Sequence, residues 1–542
     1  MNKLKSFINT ISWQSLLNES YKLEKKEFHL KNLINFKNRL KKFSRQDCNF
    51  FFDFSKQRID DKIFSYLIKM SEELKINEKF SAMTQGAILN VTEKRAALHT
   101  ATRNFSDKPI IVNKKNILPD IRKTIDQIKS FSSKVHAESI RSQSDKPFTD
   151  VVIIGIGGSY LGCEFVYNAL LNNYKNKLKL HFLSNVDIDC FSRIVSNIDI
   201  QTCLWVVISK SYTTIETMAN LNQVSLYLQN HHIDPEQHLI SITSKGSPGD
   251  SQDNKILESF HMFDFIGGRY SVTSAVGALP LSLAFGYDVF HDFLMGAHEM
   301  DDHAKNAENI NNIPLISSLI DIWNINGLNY KALGIIPYCN SLSKLAPHIQ
   351  QLSMESLGKM TSTEKEFIDY TTGCIVFGEP GTNAQHSFFQ LAHQGMEFPI
   401  EFIGILEPGY KGEQYKYEGI YNHQELWANM ISQAHALAAG KNSADNSKFF
   451  PGNRPSSTIV LENLNAKNIG KLLSYYEAKI IFEGLILDIN PFDQFGVQLG
   501  KENANNLRNH ILEKNKNPGY TFQECNDASK HYLEMLFSKK IL

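Results

Sequence analysis

The sequence lacks the patterns that mark several large classes of protein. Its seven cysteines form no C-x-x-C pair, and their odd number argues against a disulfide framework. Lysine plus arginine and aspartate plus glutamate both number 57, so no excess charge favours nucleic acid or an anionic membrane as partner. No run approaches the ~18 consecutive apolar residues that a membrane helix needs. We therefore expect a cytoplasmic protein that binds neither nucleic acid nor membrane.

Metal and nucleotide motifs are also missing. The chain contains no H-E-x-x-H motif, no complete Walker A motif and no cysteine-histidine zinc pattern. We therefore expect no bound metal.

With 542 residues, 42% of them hydrophobic and 21% charged, the chain is long enough for more than one lobe.

Short apolar runs alternate with helical stretches from residue 150 to residue 286. The runs are VVIIGIG, LKLHFLS, CLWVVIS and HLISIT. This alternation predicts an α/β fold with a doubly wound, mostly parallel sheet flanked by helices. Residues 332–338, 373–377 and 400–406 can serve as strands of a second such sheet. The predicted divisions are a helical N-terminal segment packing on the second lobe (1–120), a first lobe (121–286), a second lobe (287–490) and a C-terminal helical segment (491–542).

A glycine-rich run follows the first strand directly. Gly155, Gly157 and Gly158 let the backbone turn tightly, and the amides that open the next helix attract anions. A dinucleotide motif, G-x-G-x-x-G, would need glycine where Tyr160 stands, whereas Ser159 offers a hydroxyl to a single phosphate. The run therefore favours a monophosphate, with a plain strand-to-helix turn as the structural alternative.

A second strand end carries an unusual density of hydroxyl groups. The nine residues from Ser209 to Thr217 include Lys210, Ser211 and Thr214 and hold five serines or threonines. Hydroxyls, amides and an ammonium can hold a phosphate dianion without a metal. Because ligands bind at the carboxyl ends of parallel strands, this turn and the glycine run plausibly share one phosphate. A serine- and threonine-rich helix cap is the alternative.

A helical segment places Gln351, Glu355 and Lys359 along one face. If Glu355 is buried, its carboxylate can act as a base towards a carbon-bound proton. A surface ion pair between Glu355 and Lys359 is the plainer interpretation, and spacing alone favours it.

Other polar residues are ambiguous when taken singly. Arg269 follows two glycines and can reach an oxyanion, although an isolated arginine is more often part of a surface ion pair. His386 lies near a predicted helix start with His393 seven residues later, a position that favours a neutral imidazole. Lys501 alone indicates only a solvated helix.

Seven segments, in this order, resemble the glucose-6-phosphate isomerase family, after an N-terminal match at NVTEKRAALHTATR. They are GIGGSYLG, SKSYTTIET, GGRYSVTSAVG, QQLSMESLGK, GEPGTNAQHSFFQLAHQG, FPGNRPSS and FDQFGVQLGK. The resemblance runs from about residue 90 to residue 501. It implies two sugar-isomerase (SIS) lobes, a homodimer with sites shared between subunits, and reversible conversion of glucose 6-phosphate to fructose 6-phosphate in glycolysis and gluconeogenesis.

The resemblance also implies a role for each matching residue. Glu355 matches the base that moves a proton between C1 and C2, and Arg269 matches the residue facing the enediolate. His386, supplied by the neighbouring subunit, and Lys501 match the groups that assist ring opening. The positions that match the substrate-binding residues are Gly158, Ser159, Ser209, Lys210, Ser211, Thr214, Gln351 and Gln494.

This chemistry needs no cofactor, because the hydrogen shifts within one molecule. A protein acid and base can open the hemiacetal, and a fixed guanidinium can stabilise the enediolate.

Leu357 departs from the family pattern, which usually has asparagine there, and so does Lys94, where glycine is usual. The alternative function is a non-catalytic sugar-phosphate sensor with SIS lobes, which would give Glu355, His386 and Lys501 no reason to coexist.

Overall fold

The computed structural model describes residues 6–250 and 256–541. It divides into two units, Met1–Phe492 and Asp493–Leu542. Residues 1–5, 251–255 and 542 belong to the predicted N-terminal segment, first lobe and C-terminal segment, and they lie outside the described residues. The predicted divisions near residues 120, 286 and 490 stay a prediction.

Helices and strands alternate along most of the first unit. The helices are α1 (Ile11–Glu19), α2 (Leu30–Leu33), α3 (Arg39–Lys42), α4 (Asp61–Glu73), α5 (Ile76–Thr84), α6 (Leu118–His136), α7 (Leu161–Leu170), α8 (Ile188–Val195), α9 (Ile215–Asn230), α10 (Ala275–Phe285), α11 (Tyr287–Asn306), α12 (Ile313–Ile322), α13 (Leu345–Leu357), α14 (Phe389–Gln394), α15 (Asn422–Ala439) and α16 (Ala466–Ile486). The strands are β1 (Ser44–Asp47), β2 (Phe50–Lys56), β3 (Ile111–Val112), β4 (Lys115–Asn116), β5 (Asp150–Ile154), β6 (Lys179–Leu183), β7 (Cys203–Ile208), β8 (Leu239–Ser244), β9 (Glu258–Met262), β10 (Ala332–Pro337), β11 (Ile375–Phe377), β12 (Ile400–Ile405), β13 (Lys416–Tyr417), β14 (Ile420–Tyr421) and β15 (Ser456–Leu461).

The first large sheet is parallel throughout. Its five strands lie in the order β6-β5-β7-β8-β9. Every residue of β5 and β7 is buried, which explains why β7 and the last four residues of β5 are continuous apolar runs rather than alternating ones. The four predicted strands of this lobe are confirmed, and β9 is an addition that its mixed sequence did not indicate.

The second large sheet combines parallel and antiparallel strands. Its order is β1-β2-β15-β12-β10-β11, and the last four strands are parallel. The hairpin β1-β2 joins antiparallel to β15, so the N-terminal segment is not wholly helical as predicted. Phe50, Phe52 and Phe54 are buried on β2 and Phe51 is partly buried, so this run of aromatic residues is the signal for the strand. The predicted α/β class with two doubly wound, mostly parallel sheets is confirmed.

A buried charge cluster lies where α11 and α16 pack together. The Arg103 guanidinium donates to both carboxylate oxygens of Asp301, at 2.7 and 2.8 Å, and to Glu477 at 2.6 Å. One cation thus faces two buried carboxylates, and burial raises the pKa of Glu477 to about 7 despite the nearby guanidinium. The cluster joins the 3-10 turn His99–Arg103 to both helices.

The second unit contains two helices, α17 (Gly496–Lys516) and α18 (Asp527–Ser538). The phenol of Tyr520 hydrogen-bonds His510 Nδ1 at 2.6 Å, and the rings of Phe522 and Phe537 lie 5.8 Å apart. These helices agree with the helical C-terminal segment predicted from the sequence. In the part of the chain that the structure describes, no helix is both long and apolar enough to span a membrane.

Candidate active site

The two predicted anion loops lie side by side. Strands β5 and β7 are adjacent and parallel, with Ile154 opposite Val207, so the loops that follow them leave the same edge of the sheet. Gly157 has φ +57°, a conformation that favours glycine, and it begins a 3-10 turn that ends at Ser159. Helix α7 begins two residues later. The sequence-predicted juxtaposition of the two loops is therefore present.

The loop after β7 ends at the start of α9, where Thr214 is the N-cap residue. Its hydroxyl makes no capping hydrogen bond, so the alternative of a hydroxyl-capped helix does not describe Thr214. Ser209 is buried and its hydroxyl accepts from the amide of Tyr212 at 3.1 Å, which closes the loop. Ser211 is exposed, and its hydroxyl shares a 2.7 Å hydrogen bond with that of Thr213.

The side chain of Lys210 points towards the loop that precedes Arg269. Its ammonium donates to the carbonyl oxygens of Asp264 at 2.7 Å and Ile266 at 3.1 Å. Burial lowers the pKa of this ammonium to about 8. Lys210 therefore braces one site loop against another in this structure.

Gly158 touches the backbone of the loop that carries Gly267, Gly268 and Arg269, called here the arginine loop. A Cβ atom on Gly158 would lie 2.2 Å from the carbonyl carbon of Gly268 and 2.6 Å from the amide nitrogen of Arg269. Both distances are far shorter than a van der Waals contact, so only glycine fits here. The glycine-rich loop after β5 and the arginine loop are thus in direct backbone contact.

Arg269 and Glu355 form a close pair. Arg269 is only 3% exposed, which rules out the surface ion pair that an isolated arginine suggests. Its Nη1 lies 3.3 Å from Glu355 Oε1, and Gln351 Nε2 donates to the other carboxylate oxygen at 3.0 Å. The side chain of Glu355 stays 22% exposed, so a solute can reach the carboxylate.

Helix α13 ends at Leu357, so Lys359 is not part of the helical face on which the plainer interpretation placed it. Lys359 Nζ donates to the main-chain carbonyl of Glu355 at 2.8 Å. Leu357 is 1% exposed and packs in the core, where its side chain offers no hydrogen bond to the neighbouring Glu355.

Two buried hydroxyl groups that sequence reasoning missed hold Arg269. Ser356 Oγ accepts from Arg269 Nε at 2.7 Å and lies 3.0 Å from the Tyr270 hydroxyl. The carbonyl of Pro491 accepts from Arg269 Nη2 at 2.6 Å and from Tyr270 at 3.4 Å. The only sequence signal was position, because Ser356 and Tyr270 directly follow Glu355 and Arg269.

His386 lies in the segment between β11 and α14. It ends the 3-10 turn Asn383–His386 and is exposed, while the preceding Gln385 accepts from the Tyr338 hydroxyl at 2.7 Å. His393, on α14, hydrogen-bonds Gln433 at 2.8 Å. Among the contacts described within residues 6–250 and 256–541, none joins His386 to Glu355 or Arg269. Gln494 and Lys501 are exposed residues of the second unit, with Lys501 on α17.

One cluster in the described chain has the composition of a metal site, namely Asp47, Cys48 and His303. His303 Nδ1 is 2.8 Å from Asp47, and its Nε2 accepts from the amide of Ile313 at 3.0 Å. Both ring nitrogens thus have hydrogen-bond partners within the protein.

Comparisons with known proteins agree over nearly the whole chain. The phosphoglucose isomerase family profile matches residues 53–526. A glucose-6-phosphate isomerase of Desulfosudis oleivorans is 51% identical and covers 97% of this chain and 97% of its own length. A relative from Spinacia oleracea named glucose-6-phosphate isomerase, cytosolic, is 37% identical over 97% of this chain and 96% of its own. The crystal structure of a glucose-6-phosphate isomerase from Chlamydia trachomatis aligns with a TM-score of 0.90 at 34% identity, covering 99% of this chain and 100% of the other. Since these matches extend along almost its full length, the chain belongs to the phosphoglucose isomerase family.

Proposed function

We propose that this protein interconverts D-glucose 6-phosphate and D-fructose 6-phosphate, a step of glycolysis and gluconeogenesis. The observation that carries the proposal is the placement of the Glu355 carboxylate 3.3 Å from the Arg269 guanidinium, beside backbone loops suited to an anion. Aldose-ketose isomerisation needs a base for a carbon-bound proton and a cation for the oxygen that becomes negative. This pair supplies both groups in direct contact with each other.

The phosphate end of the sugar is assigned to the two loops at the edge of the first sheet. The hydroxyls of Ser159, Ser209, Ser211 and Thr214 and the amides opening α9 can donate to phosphate oxygens. Lys210 contributes its main-chain amide in this assignment, because its ammonium is engaged with two carbonyl oxygens. Gly158 allows the close approach of the loops, and Gln351 orients Glu355.

Proton transfer follows once the sugar is anchored. Glu355 removes a proton from C2 of the open-chain aldose and returns it to C1, passing through an enediolate, while the hydroxyl proton of O2 moves to O1. Negative charge grows on the carbonyl oxygen O1 when the C2 proton leaves. Arg269 is held where it can stabilise that charge without reorganising. Binding energy from the phosphate keeps C1 and C2 against the carboxylate.

Ring opening is assigned to groups farther along the chain. An acid must protonate the ring oxygen while a base takes the anomeric hydroxyl proton, and His386 with Lys501 can share these tasks. Gln494 is assigned to the same site. These three assignments rest on the family resemblance.

We also propose a cytoplasmic homodimer in which His386 serves the partner's site. Exposure of His386 supports this assembly. The cytosolic name of the spinach relative supports the location.

A coupled assay that converts fructose 6-phosphate to glucose 6-phosphate tests the reaction. The unaltered chain should turn over, Glu355→Gln should lose at least about 100-fold in kcat, and the exposed control Glu407→Gln should not. Binding of the sugar phosphate without turnover by the unaltered chain would instead identify a sensor. Equal turnover by Glu355→Gln and the unaltered chain would remove Glu355 as the base.

Mixing two inactive variants tests the shared site. If His386 acts across the dimer, refolding Glu355→Gln together with His386→Ala restores one intact site in each mixed dimer, or roughly a quarter of full activity. If both residues act in the same chain, the mixture stays inactive. Sedimentation of each variant as a dimer is the control for assembly.

A further inference from the structure

Arg269 belongs to a closed ring of hydrogen bonds that lies behind the proposed reaction centre. The ring runs from Arg269 to Ser356, Tyr270 and the Pro491 carbonyl and back to Arg269. The three side chains in it are 3%, 0% and 1% exposed, so water does not compete for these bonds. We propose that Ser356 is a positioning residue, which locks the plane of the Arg269 guanidinium with the help of Tyr270 and Pro491. The proposal rests on the function proposed above.

Donors and acceptors in the ring match in only one direction. A guanidinium has no acceptor, so Arg269 must donate to Ser356 Oγ. The Pro491 carbonyl can only accept and takes the single Tyr270 proton, so the bond between the two hydroxyls must use the serine proton. The Tyr270 hydroxyl then donates its own proton to the Pro491 carbonyl. That carbonyl accepts a second time from Arg269 Nη2, which closes the ring. Each hydroxyl thus accepts once and donates once.

The ring ties the position of the cation to that of the base. Ser356 directly follows Glu355 on α13, so one residue step separates the carboxylate from the anchor of the guanidinium. Arg269 is held at Nε and Nη2, and its Nη1 faces Glu355. Two anchors fix a planar group against rotation, whereas one anchor leaves it free to turn. Ser356 therefore acts on the reaction through Arg269 rather than by touching the sugar.

Steady-state kinetics of Ser356→Ala, Tyr270→Phe and the double variant test this role. We expect Ser356→Ala to lower kcat about 10- to 100-fold, because a small misplacement of a catalytic group has this effect. KM and the inhibition constant of inorganic phosphate should stay close to their unaltered values. Tyr270→Phe should lower kcat less, and the losses of the two single variants should not multiply in the double variant, since Tyr270 contacts both groups that anchor Arg269. Ser353→Ala is the matched control, because Ser353 lies one turn earlier on α13 and lines a small cavity with Lys479 and Glu483.

Three results would overturn the proposal. They are an unchanged kcat for Ser356→Ala, a rise in KM and in the phosphate inhibition constant without a fall in kcat, and losses that multiply in the double variant. If Ser356→Ala does not fold, an unchanged kcat for Tyr270→Phe overturns the proposal equally. Inactivity of the unaltered protein is a different result, which would refute the proposed reaction itself.

Discussion

Substitution of Gly158 by alanine should damage the proposed site without unfolding the protein. The new Cβ would lie 2.3 Å from the Gly268 carbonyl oxygen, whereas ordinary contacts begin at 3.4 Å. One loop must therefore move by about 1 Å, and displacements of that size cost enzymes on the order of 100-fold in rate. The obstacle is backbone, so no rotation of a side chain can relieve it.

The same arginine loop provides a matched control. A Cβ on Gly267 meets its nearest neighbour, a ring atom of Tyr270, at 3.7 Å, and the backbone at Gly267 has φ −76° and ψ 152°. Gly267→Ala is thus sterically and conformationally allowed. We expect its kcat/KM for fructose 6-phosphate to stay within about 3-fold of the unaltered value, while Gly158→Ala falls about 100-fold.

The assay should separate the two ends of the substrate. Gly158 belongs to the glycine-rich loop after β5, which is the proposed phosphate site, and it touches the arginine loop. Gly158→Ala should therefore weaken inhibition by inorganic phosphate and lower kcat as well. Thermal denaturation of both variants checks that the fold is retained. Equal kinetics for Gly158→Ala and the unaltered protein, or equal damage from both substitutions, would refute the reasoning from backbone contact.

Three further perturbations test other parts of the first unit. Arg103→Leu should lower the free energy of unfolding by about 3–5 kcal/mol in urea titrations, since it strands two buried carboxylates. Arg122→Leu, at an exposed ion pair, should change it by less than about 1 kcal/mol. Because the pKa of Glu477 is raised from 4.5 to about 7, the folded protein keeps this proton longer than the unfolded chain. Stability should therefore fall by about 3 kcal/mol as the pH rises between these values, and a slope that survives Glu477→Gln would contradict this. Lys210→Met should lower kcat about 10-fold by loosening the loop that carries Arg269, with little effect on phosphate inhibition; a large loss of phosphate affinity would show that the ammonium binds phosphate directly.

The fold class could be predicted because buried parallel strands have an unmistakable sequence pattern. Strands β5 and β7 are continuous apolar runs, each followed by glycine or by serine and threonine. The hairpin β1-β2 was missed because its aromatic residues lie within a charged, helix-like stretch. Strand β15 was missed for a related reason, since its partners are far away in the sequence and its flanks are polar.

The site could be predicted residue by residue only through the family resemblance. Spacing alone favoured a surface pair between Glu355 and Lys359, because the end of α13 at Leu357 is not visible in the sequence. Burial of Arg269 depends on Ser356 and Pro491, which lie 87 and 222 residues away. Local patterns carry no information about such distant partners.

The pairing of β2 with β15 has a consequence for synthesis of the chain. Gln57 and Ser457, which hydrogen-bond at this junction, are 400 residues apart. At ribosomal rates of 5–20 residues per second, roughly 20–80 s pass before β15 follows β2 out of the ribosome. Throughout that interval β2 presents Phe50, Phe52 and Phe54 and an open hydrogen-bonding edge, the features that recruit other strands. We therefore expect the nascent chain to be more exposed to aggregation than the finished protein.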